Sequence, residues 1–316
     1  MTTSTSASAS APATYTTLIS VAQLQALQAA GTPLMVFDCS FDLMNPAAGP
    51  AQFAQSHIPG AVYMHLDHDL SDKSGQGQAA SGGRHPLPSR EAFAQRLRER
   101  GFNAGMQAVV YERQGANYCG RLWWMLKWCG HEAVAVLDGG LKAWTDAGGP
   151  VVADSSDASG KAVEATPGPS AAHGRAEPGN FQLGAPLART VSAQDVFQRL
   201  GDPSQTVLDA RAAPRFRGEV EPLDPVAGHI PGALNRPFTD NLLPDGRFKP
   251  AAELRAAFDA LLAGRPADTV VHQCGSGVSA VPNLLAMEVA GLGRTTLFPG
   301  SWSEWCNTPG LPCAKG

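Results

Sequence analysis

The chain has 316 residues, a formal net charge of -4 at neutral pH and a pI near 6.1. Hydrophobic residues make up 43% of it and charged residues 16%, a composition typical of globular proteins and not of coiled coils or disordered chains. This length suits two domains of ordinary size. The weak negative charge gives no reason to expect binding to nucleic acid, and the absence of a continuous apolar window of about 18 residues predicts no membrane span.

Residues 1–14 form a run rich in Ser, Thr and Ala that contains neither Lys nor Arg. A secretory signal or a transit peptide needs basic residues, so we expect a disordered tail here. The six cysteines include no C-x-x-C pair and no other metal-ligand spacing. The sequence therefore predicts no metal site and a reducing, cytoplasmic location.

The most informative feature of the chain is that the same landmarks occur twice in the same order. Each half contains the pentapeptide His-Ile-Pro-Gly-Ala, at residues 57–61 and 229–233. A duplication explains the length. The other matching landmarks are Ser20, Asp38, residues 109–112, Gly139 and Trp144 in the first half, and Ser192, Asp209, residues 270–274, Gly300 and Trp305 in the second.

Both halves alternate short apolar strands with amphipathic helical segments. In the first half, the pattern predicts strands at 34–38 and 133–137 and a helix over 91–100. In the second half, the apolar runs 206–208 and 269–271 are typical of strands in a parallel sheet that helices cover on both faces. The sequence therefore predicts an α/β fold.

The same pattern divides the chain into two domains, each a parallel β-sheet flanked by helices. We expect the first over residues 15–150 and the second over residues 189–316. Between them, residues 151–188 are rich in Ala, Ser, Gly and Pro, which predicts a linker. Ser192 and Asp195 form a capping-box pattern that opens the first helix of the second domain.

Alignment of the two halves places Glu112 opposite Cys274, so only the second half carries a thiol at this position. Cys274 follows a buried strand and precedes a helical segment, at the edge of the sheet where parallel-sheet proteins place their chemistry. Gly275 and Gly277 allow the loop to curl so that successive backbone N–H groups point inward. Such a cradle stabilises an anionic sulfur, for example a persulfide on Cys274.

The residues of this loop also fit two other interpretations. A cysteine phosphatase needs an Arg six positions after the Cys to clamp phosphate, and that position is Ala280. Cys274 also fits an ordinary buried thiol, the usual fate of a free cysteine. The coincidence of strand, Gly-flanked Cys and helix favours a nucleophile over both.

Several motifs resemble those of tandem-domain rhodaneses, over roughly residues 15–310. They are the two His-Ile-Pro-Gly-Ala turns, Asp138-Gly139-Gly140-Leu141 with Trp144, and residues 121–125 and 300–305. The loop Cys-Gly-Ser-Gly-Val at 274–278 is similar to that of 3-mercaptopyruvate sulfurtransferases, whereas thiosulfate-specific rhodaneses carry Cys-Arg-Lys-Gly-Val.

The resemblance implies a sulfurtransferase that needs no cofactor. Sulfane sulfur from 3-mercaptopyruvate would pass through a Cys274 persulfide to cyanide, a small thiol or thioredoxin. Thiosulfate is the alternative donor. A non-catalytic rhodanese-like sensor of sulfur species or oxidants is the rival from another class.

The resemblance also implies roles for individual residues. Ser276 would polarise the donor carbonyl or relay a proton, His57 would be its partner from the first domain, and Arg215 would bind the donor carboxylate. The rest of the donor-binding loop would be Gly275, Gly277, Val278 and Ser279.

Two departures leave questions open. Leu223 stands where a second arginine is expected, and residues 45–56, upstream of His57, contain no acidic residue to complete a triad. His57 also fits a brace for its turn, because His229 repeats it. Arg84 is a further candidate for the cleft between the domains.

Overall fold

The computed structural model describes residues 13–76, 79–154 and 177–316. Nearly all of the predicted tail and residues 155–176 of the predicted linker lie outside these ranges. Within them the chain forms two five-stranded sheets, all of whose strand pairs are parallel, with helices packed around each. This confirms the predicted α/β fold and its duplication.

The first domain alternates strands and helices. Its elements are β1 Leu18–Ile19, α1 Val21–Ala29, β2 Leu34–Asp38, α2 Ala48–Gln55, β3 Val62–Tyr63, α3 Arg90–Glu99, β4 Gln107–Tyr111, α4 Cys119–Trp128, β5 Val134–Leu137 and α5 Gly140–Asp146.

The second domain repeats this order with two added 3-10 turns, Phe238–Asn241 and Ala267–Thr269. Its elements are β6 Arg189–Thr190, α6 Ala193–Gln198, β7 Thr206–Asp209, α7 Ala213–Phe216, β8 Leu234–Asn235, α8 Ala251–Leu262, β9 Val270–Gln273, α9 Val281–Val289, β10 Thr296–Leu297 and α10 Ser301–Trp305.

Equivalent strands occupy equivalent places in the two sheets. The orders are β1-β5-β4-β2-β3 and β6-β10-β9-β7-β8. β4 and β9 are therefore the central strands, and each is followed by a short loop and a buried helix, α4 or α9. Because the strands are parallel, their carboxyl ends meet at one edge of each sheet, where ligand sites of such folds form.

Local sequence signals account for several boundaries. The Ser192 hydroxyl accepts from the N–H of Asp195, and the Asp195 carboxylate accepts from the N–H of Ser192, so the predicted capping box is present. Pro282 lies in the first turn of α9, where its missing N–H costs no helical hydrogen bond. Asp38 and Asp209 each accept from a loop N–H two residues on, which fixes the chain as it leaves β2 and β7.

The two domains share one apolar core. The largest cluster of buried side chains runs from Phe37 in β2 through Trp124 in α4 to Leu285 in α9. Every residue of α4 and the first seven of α9 are buried. A Cβ on Gly120 would lie 3.3 Å from the Val281 side chain, so the two helices approach closely near their first turns. This contact brings the loops before α4 and α9 into one region.

The described end of the predicted linker packs on the first domain. The N–H groups of Gly179 and Gly184 donate to the carbonyls of Arg98 and Cys129, and Phe181 is buried. Residues 177–188 therefore extend the surface of the first domain. Among the helices that the structure describes, none has both the length and the apolar character to cross a bilayer.

Candidate active site

Cys274 is the first residue after β9, and its side chain is buried. Its N–H donates to Ser301 Oγ at 3.1 Å, and its carbonyl accepts from the N–H of Trp302 at 3.0 Å. The carbonyl of Gly275 accepts from the N–H of Ser303 at 2.9 Å. The start of α10 therefore holds the base of the loop in place.

The loop between β9 and α9 turns sharply at Gly277, whose φ is +73°. A Cβ there would lie 2.1 Å from the carbonyl oxygen of Pro299, so only glycine fits. Along residues 275–280, none of the backbone N–H groups meets an acceptor in the part of the chain that the structure describes. Consecutive amides without an acceptor, in a loop that is buried except at Ser279, are suited to binding an anion.

The equivalent loop of the first domain shows what such a cradle binds. There the carboxylate of Glu112 accepts the N–H of Tyr118 at 3.1 Å, and Tyr118 aligns with Ala280. The N–H groups of Asn117 and Gln114 act on the same carboxylate. In the first domain a side-chain carboxyl group thus fills the loop, at the place where the second domain has the sulfur of Cys274.

Glu112 reaches this position at an electrostatic cost. Burial raises its pKa from 4.5 to about 8, against the lowering effect of the loop N–H groups. One carboxylate oxygen, Oε2, has no hydrogen-bond partner within the described residues. Glu112 is therefore largely protonated at neutral pH.

The hydroxyl of Ser276 is in contact with an imidazole from the first domain. Ser276 Oγ lies 2.7 Å from His85 Nδ1, and His85 Nε2 lies 3.4 Å from Asp67 Oδ1. The second distance is long for a hydrogen bond, so Asp67 acts on His85 mainly as a nearby charge. Its carboxylate favours the tautomer with the proton on Nε2, which leaves Nδ1 to accept from the Ser276 hydroxyl.

The ionisation of this group of residues is set by burial and contact. Burial lowers the pKa of His85 below its ordinary value of 6.5, so the ring is neutral at neutral pH. Contact with His85, and then with Lys73 at 2.5 Å, holds the pKa of Asp67 below its usual range. A neutral imidazole between a hydroxyl and a carboxylate is suited to proton transfer.

Ser276 is thus partnered by His85 and not, as expected, by His57. His57 Nδ1 is bonded to the carbonyl of Phe53 at 2.8 Å, and its ring stacks on that of Phe53. His229 makes the same two contacts with Phe216, with the same ring separation of 3.9 Å. The repeated geometry assigns both histidines to bracing their turns.

Arg121 ties the first domain to the nucleophile loop. This side chain of α4 is fully buried, and it donates from Nη1 to the carbonyl of Gly277 and from Nη2 to that of His85, both at 3.0 Å. Burial lowers its pKa to about 10, so it stays cationic, and the sulfur of Cys274 favours that charge. Arg121 therefore fixes the two segments that carry Ser276 and His85 and places a positive charge near Cys274.

Arg215 stands beside the loop, as the sequence predicts. Its guanidinium binds Glu221 through Nε at 3.2 Å and Nη2 at 2.6 Å, and Nη1 lies 3.6 Å from the Cβ position of Gly275. Arg84 reaches the same place from the first domain. Val278 is buried in the shared core, and Ser279 is partly exposed.

His85, Asp67 and Arg121 were missed as site residues. A signal for His85 existed, because Gly83-Arg84-His85 precedes α3 as Gly246-Arg247-Phe248 precedes α8. The first domain, whose segment lies against the Cys274 loop, has His85 at this position. The second domain, whose segment lies against the first domain, has Phe248. Each of these segments crosses to the other domain: the N–H of Arg84 donates to Ser303 and that of Phe248 to Asp138.

Comparison with known proteins agrees with the duplicated fold. The family model named Rhodanese-like domain matches residues 20–147 and again residues 192–308. The chain belongs to the rhodanese family. It is 43% identical, over 93% of its length and 97% of the relative's, to a Pseudomonas aeruginosa protein described as a probable 3-mercaptopyruvate sulfurtransferase.

Two further relatives of this rhodanese-family chain bear on its chemistry. It is 38% identical to a putative thiosulfate sulfurtransferase, SseB, from Mycobacterium tuberculosis, over 95% of this chain and 97% of that one. The crystal structure of SseA from Escherichia coli, described as a 3-mercaptopyruvate sulfotransferase, matches with a TM-score of 0.71 and 30% identity. That match covers 92% of this chain and 100% of SseA.

Replacement of Glu112 by Gln is expected to stabilise the protein more at about pH 8 than at about pH 5. Between the unfolded pKa of 4.5 and the folded pKa of about 8, the unfolded state releases a proton that the native state retains. Native stability therefore falls as pH rises through this window, by up to about 1.4 kcal/mol per pH unit, and the neutral amide abolishes the loss. Thermal unfolding of both proteins across this range measures the effect, and a difference in Tm that does not change with pH would contradict it.

Proposed function

We propose that this protein is a sulfurtransferase that takes the thiol sulfur of 3-mercaptopyruvate and passes it to cyanide or a thiol as the sulfane sulfur of a persulfide on Cys274. The observation that carries the proposal is that three features lie together: a buried thiol, a series of loop N–H groups without an acceptor among the described residues, and the neutral Ser276–His85 pair. The names of the relatives from Pseudomonas aeruginosa and Escherichia coli support the same donor.

In the first half-reaction the Cys274 thiolate attacks the sulfur of 3-mercaptopyruvate. The new S–S bond forms as the donor's C–S bond breaks, and the electron pair of that bond passes to the enolate of pyruvate. The terminal sulfur gives up its proton and the enolate carbon gains one, so the step needs no external acid. The loop N–H groups then hold the anionic persulfide.

The Ser276–His85 pair is placed to move that proton. The Ser276 hydroxyl is the polar group of the loop that can reach the donor carbonyl, and His85 Nδ1 can take or return its proton at 2.7 Å. Asp67 keeps the ring oriented. Because the His85 ring is neutral at neutral pH, it acts first as an acceptor.

In the second half-reaction an acceptor removes the terminal sulfur. Cyanide attacks it, the S–S bond breaks towards Cys274, and thiocyanate leaves while the thiolate is restored. A thiol acceptor, including reduced thioredoxin, would react at the same sulfur. All six cysteines are free thiols, which supports a reducing, cytoplasmic location.

Thiosulfate is the second candidate donor, and one observation favours it. The loop itself is neutral, but Arg84 and Arg215 bring two guanidinium groups to Gly275. Both are already paired with carboxylates, Asp224 and Glu221, which weakens their pull on a dianion. Thiosulfate also offers no carbonyl to Ser276, so 3-mercaptopyruvate remains the better fit.

Steady-state rates with each donor, with cyanide as acceptor and thiocyanate as readout, test the donor assignment. We expect kcat/KM for 3-mercaptopyruvate to exceed that for thiosulfate by about tenfold or more, a difference of about 1.4 kcal/mol in transition-state stabilisation. Cys274→Ser should abolish both activities. A preference for thiosulfate would reverse the donor assignment, and no turnover of either would favour the sensor function.

Substitution of the two first-domain histidines by Asn distinguishes their roles. His85→Asn is expected to lower kcat for 3-mercaptopyruvate by about 100-fold or more, because it removes the proton acceptor at Ser276. The matched variant His57→Asn should keep kcat within about twofold and lower the unfolding temperature instead, because it removes only the brace on Phe53. The kcat of the wild type should also stay constant as the pH falls to the ordinary pKa of histidine, because burial lowers the pKa of His85 below that value. Equal losses of kcat in the two variants, with stability unchanged, would contradict this assignment.

A further inference from the structure

Two guanidinium groups, one from each domain, face the same point of the nucleophile loop. If Gly275 carried a Cβ, that atom would lie 3.1 Å from Arg84 Nη2 and 3.6 Å from Arg215 Nη1. A side chain at position 275 would therefore be in contact with both guanidinium groups and tight against Arg84. The glycine leaves room for them immediately next to Cys274.

A buried carboxylate lies between the two guanidinium groups. Asp224 accepts from Arg84 Nη1 at 2.6 Å and faces Arg215 Nη2 at 3.5 Å, with 3% of its side chain exposed. Glu221 takes the remaining bonds of Arg215. Arg84 Nη2 and Arg215 Nη1, the atoms that face Gly275, have no acceptor among the residues described by the structure.

The backbone of Arg84 is held as firmly as its side chain. Its N–H donates to Ser303 Oγ at 2.9 Å. The preceding Gly83 has a φ of +85°, and a Cβ on it would lie 2.4 Å from the carbonyl oxygen of Gly300. The next residue, His85, is fixed on Ser276. Arg84 is thus placed by the same cross-domain segment that carries the imidazole.

We propose that Arg84 binds the donor: with Arg215 it forms a two-arginine clamp for the carboxylate of an α-keto acid, oriented by Asp224. This inference rests on the proposed function and names the residue that takes the place of the arginine absent at Leu223. A carboxylate has two oxygens, and each would accept from one of the unpartnered Nη groups above Gly275. The α-carbonyl would then lie towards Ser276 and the sulfur towards Cys274.

A neighbouring cavity reaches Arg84, and none of its lining residues belongs to the nucleophile loop. A cavity of about 480 Å³ opens beside the cleft and is lined by Arg84, Asp224 and Leu223 together with Ser303 and Glu304. Leu223 contributes only apolar surface there. Arg84 is therefore the cation of this cavity wall that a donor entering from it would meet.

The duplication supplies a matched control. Arg247 is the counterpart of Arg84 and lies next to Gly139 of the first domain, whose loop carries Glu112 in place of a thiol. Arg247 is half exposed and only loosely paired with Asp245, at 3.9 Å. Arg247→Gln thus removes the same charge from the same motif without touching the thiol-bearing loop.

The kinetic test uses two donors that differ only in the carboxylate, 3-mercaptopyruvate and 1-mercaptopropan-2-one. Arg84→Gln is expected to raise KM for 3-mercaptopyruvate by about 10- to 100-fold while changing kcat/KM for the neutral ketone by less than about twofold. Arg84→Lys should recover part of the loss, and Arg247→Gln should behave as wild type. Equal losses with both donors would show that Arg84 acts only by positioning His85, and no loss with either would show that it does not touch the donor; both results overturn the proposal.

A binding measurement separates this proposal from the proposed function. Calorimetry with pyruvate on Cys274→Ser needs no turnover, and Arg84→Gln in that background should weaken pyruvate binding by the same 10- to 100-fold, to about the level that Arg215→Gln gives. If the wild type fails to turn over 3-mercaptopyruvate but pyruvate binding depends on Arg84, the proposed function fails and the clamp stands. If turnover of 3-mercaptopyruvate is normal and Arg84→Gln leaves pyruvate binding unchanged, the proposed clamp is contradicted and the proposed function stands.

Discussion

Buried backbone N–H groups must find an acceptor, and this constraint governs the loop at the end of each central strand. Both loops curl around a glycine of positive φ, Gly115 or Gly277. In the first domain several loop N–H groups converge on the side chain of Glu112. The first domain meets the demand with the carboxyl group of Glu112, a buried acid whose pKa rises to about 8. The second domain leaves the position to the sulfur of Cys274. The same backbone geometry therefore produces a loop occupied by its own side chain in one copy and, in the proposed function, a persulfide site in the other.

The thiol-bearing loop is completed by the neighbouring domain. Arg121 binds its carbonyl at Gly277, His85 binds its hydroxyl at Ser276, and Arg84 stands over its glycine. All three come from the first domain. Arg121 is carried by α4, which packs on α9, whereas Arg84 and His85 lie in the segment whose backbone donates to Ser303. The first domain lacks a nucleophile of its own but supplies the imidazole and two of the cations around Cys274. One domain carries the thiol and the other supplies the groups around it, which is a physical reason for both copies to be present in one chain.

The fold could be predicted from the sequence because it depends on local patterns that the chain shows twice. The apolar run at β2, the capping box at Ser192 and the Gly-flanked Cys274 each have a short-range cause. The partner of Ser276 could not be predicted in this way, because the contact joins residues 191 positions apart across a domain interface. The sequence favours His57 as the partner of Ser276 because it lies in a conspicuous motif. Its repetition at His229, which makes the same bonds to a carbonyl and a Phe ring, was the sign that the motif is structural. Likewise, nothing in the sequence around Leu223 indicates that the structure places Arg84 beside Gly275.

The most direct measurement is a single turnover without acceptor. The protein is mixed with one equivalent of 3-mercaptopyruvate, and the pyruvate released is quantified. The protein is then digested, and the mass of each cysteine-containing peptide is measured by mass spectrometry. A persulfide intermediate at the cradle predicts one pyruvate per chain and the added mass of one sulfur atom on the peptide that contains Cys274, with the other five cysteines unchanged. Pyruvate release with no sulfur on Cys274, or sulfur on a different cysteine, would contradict it.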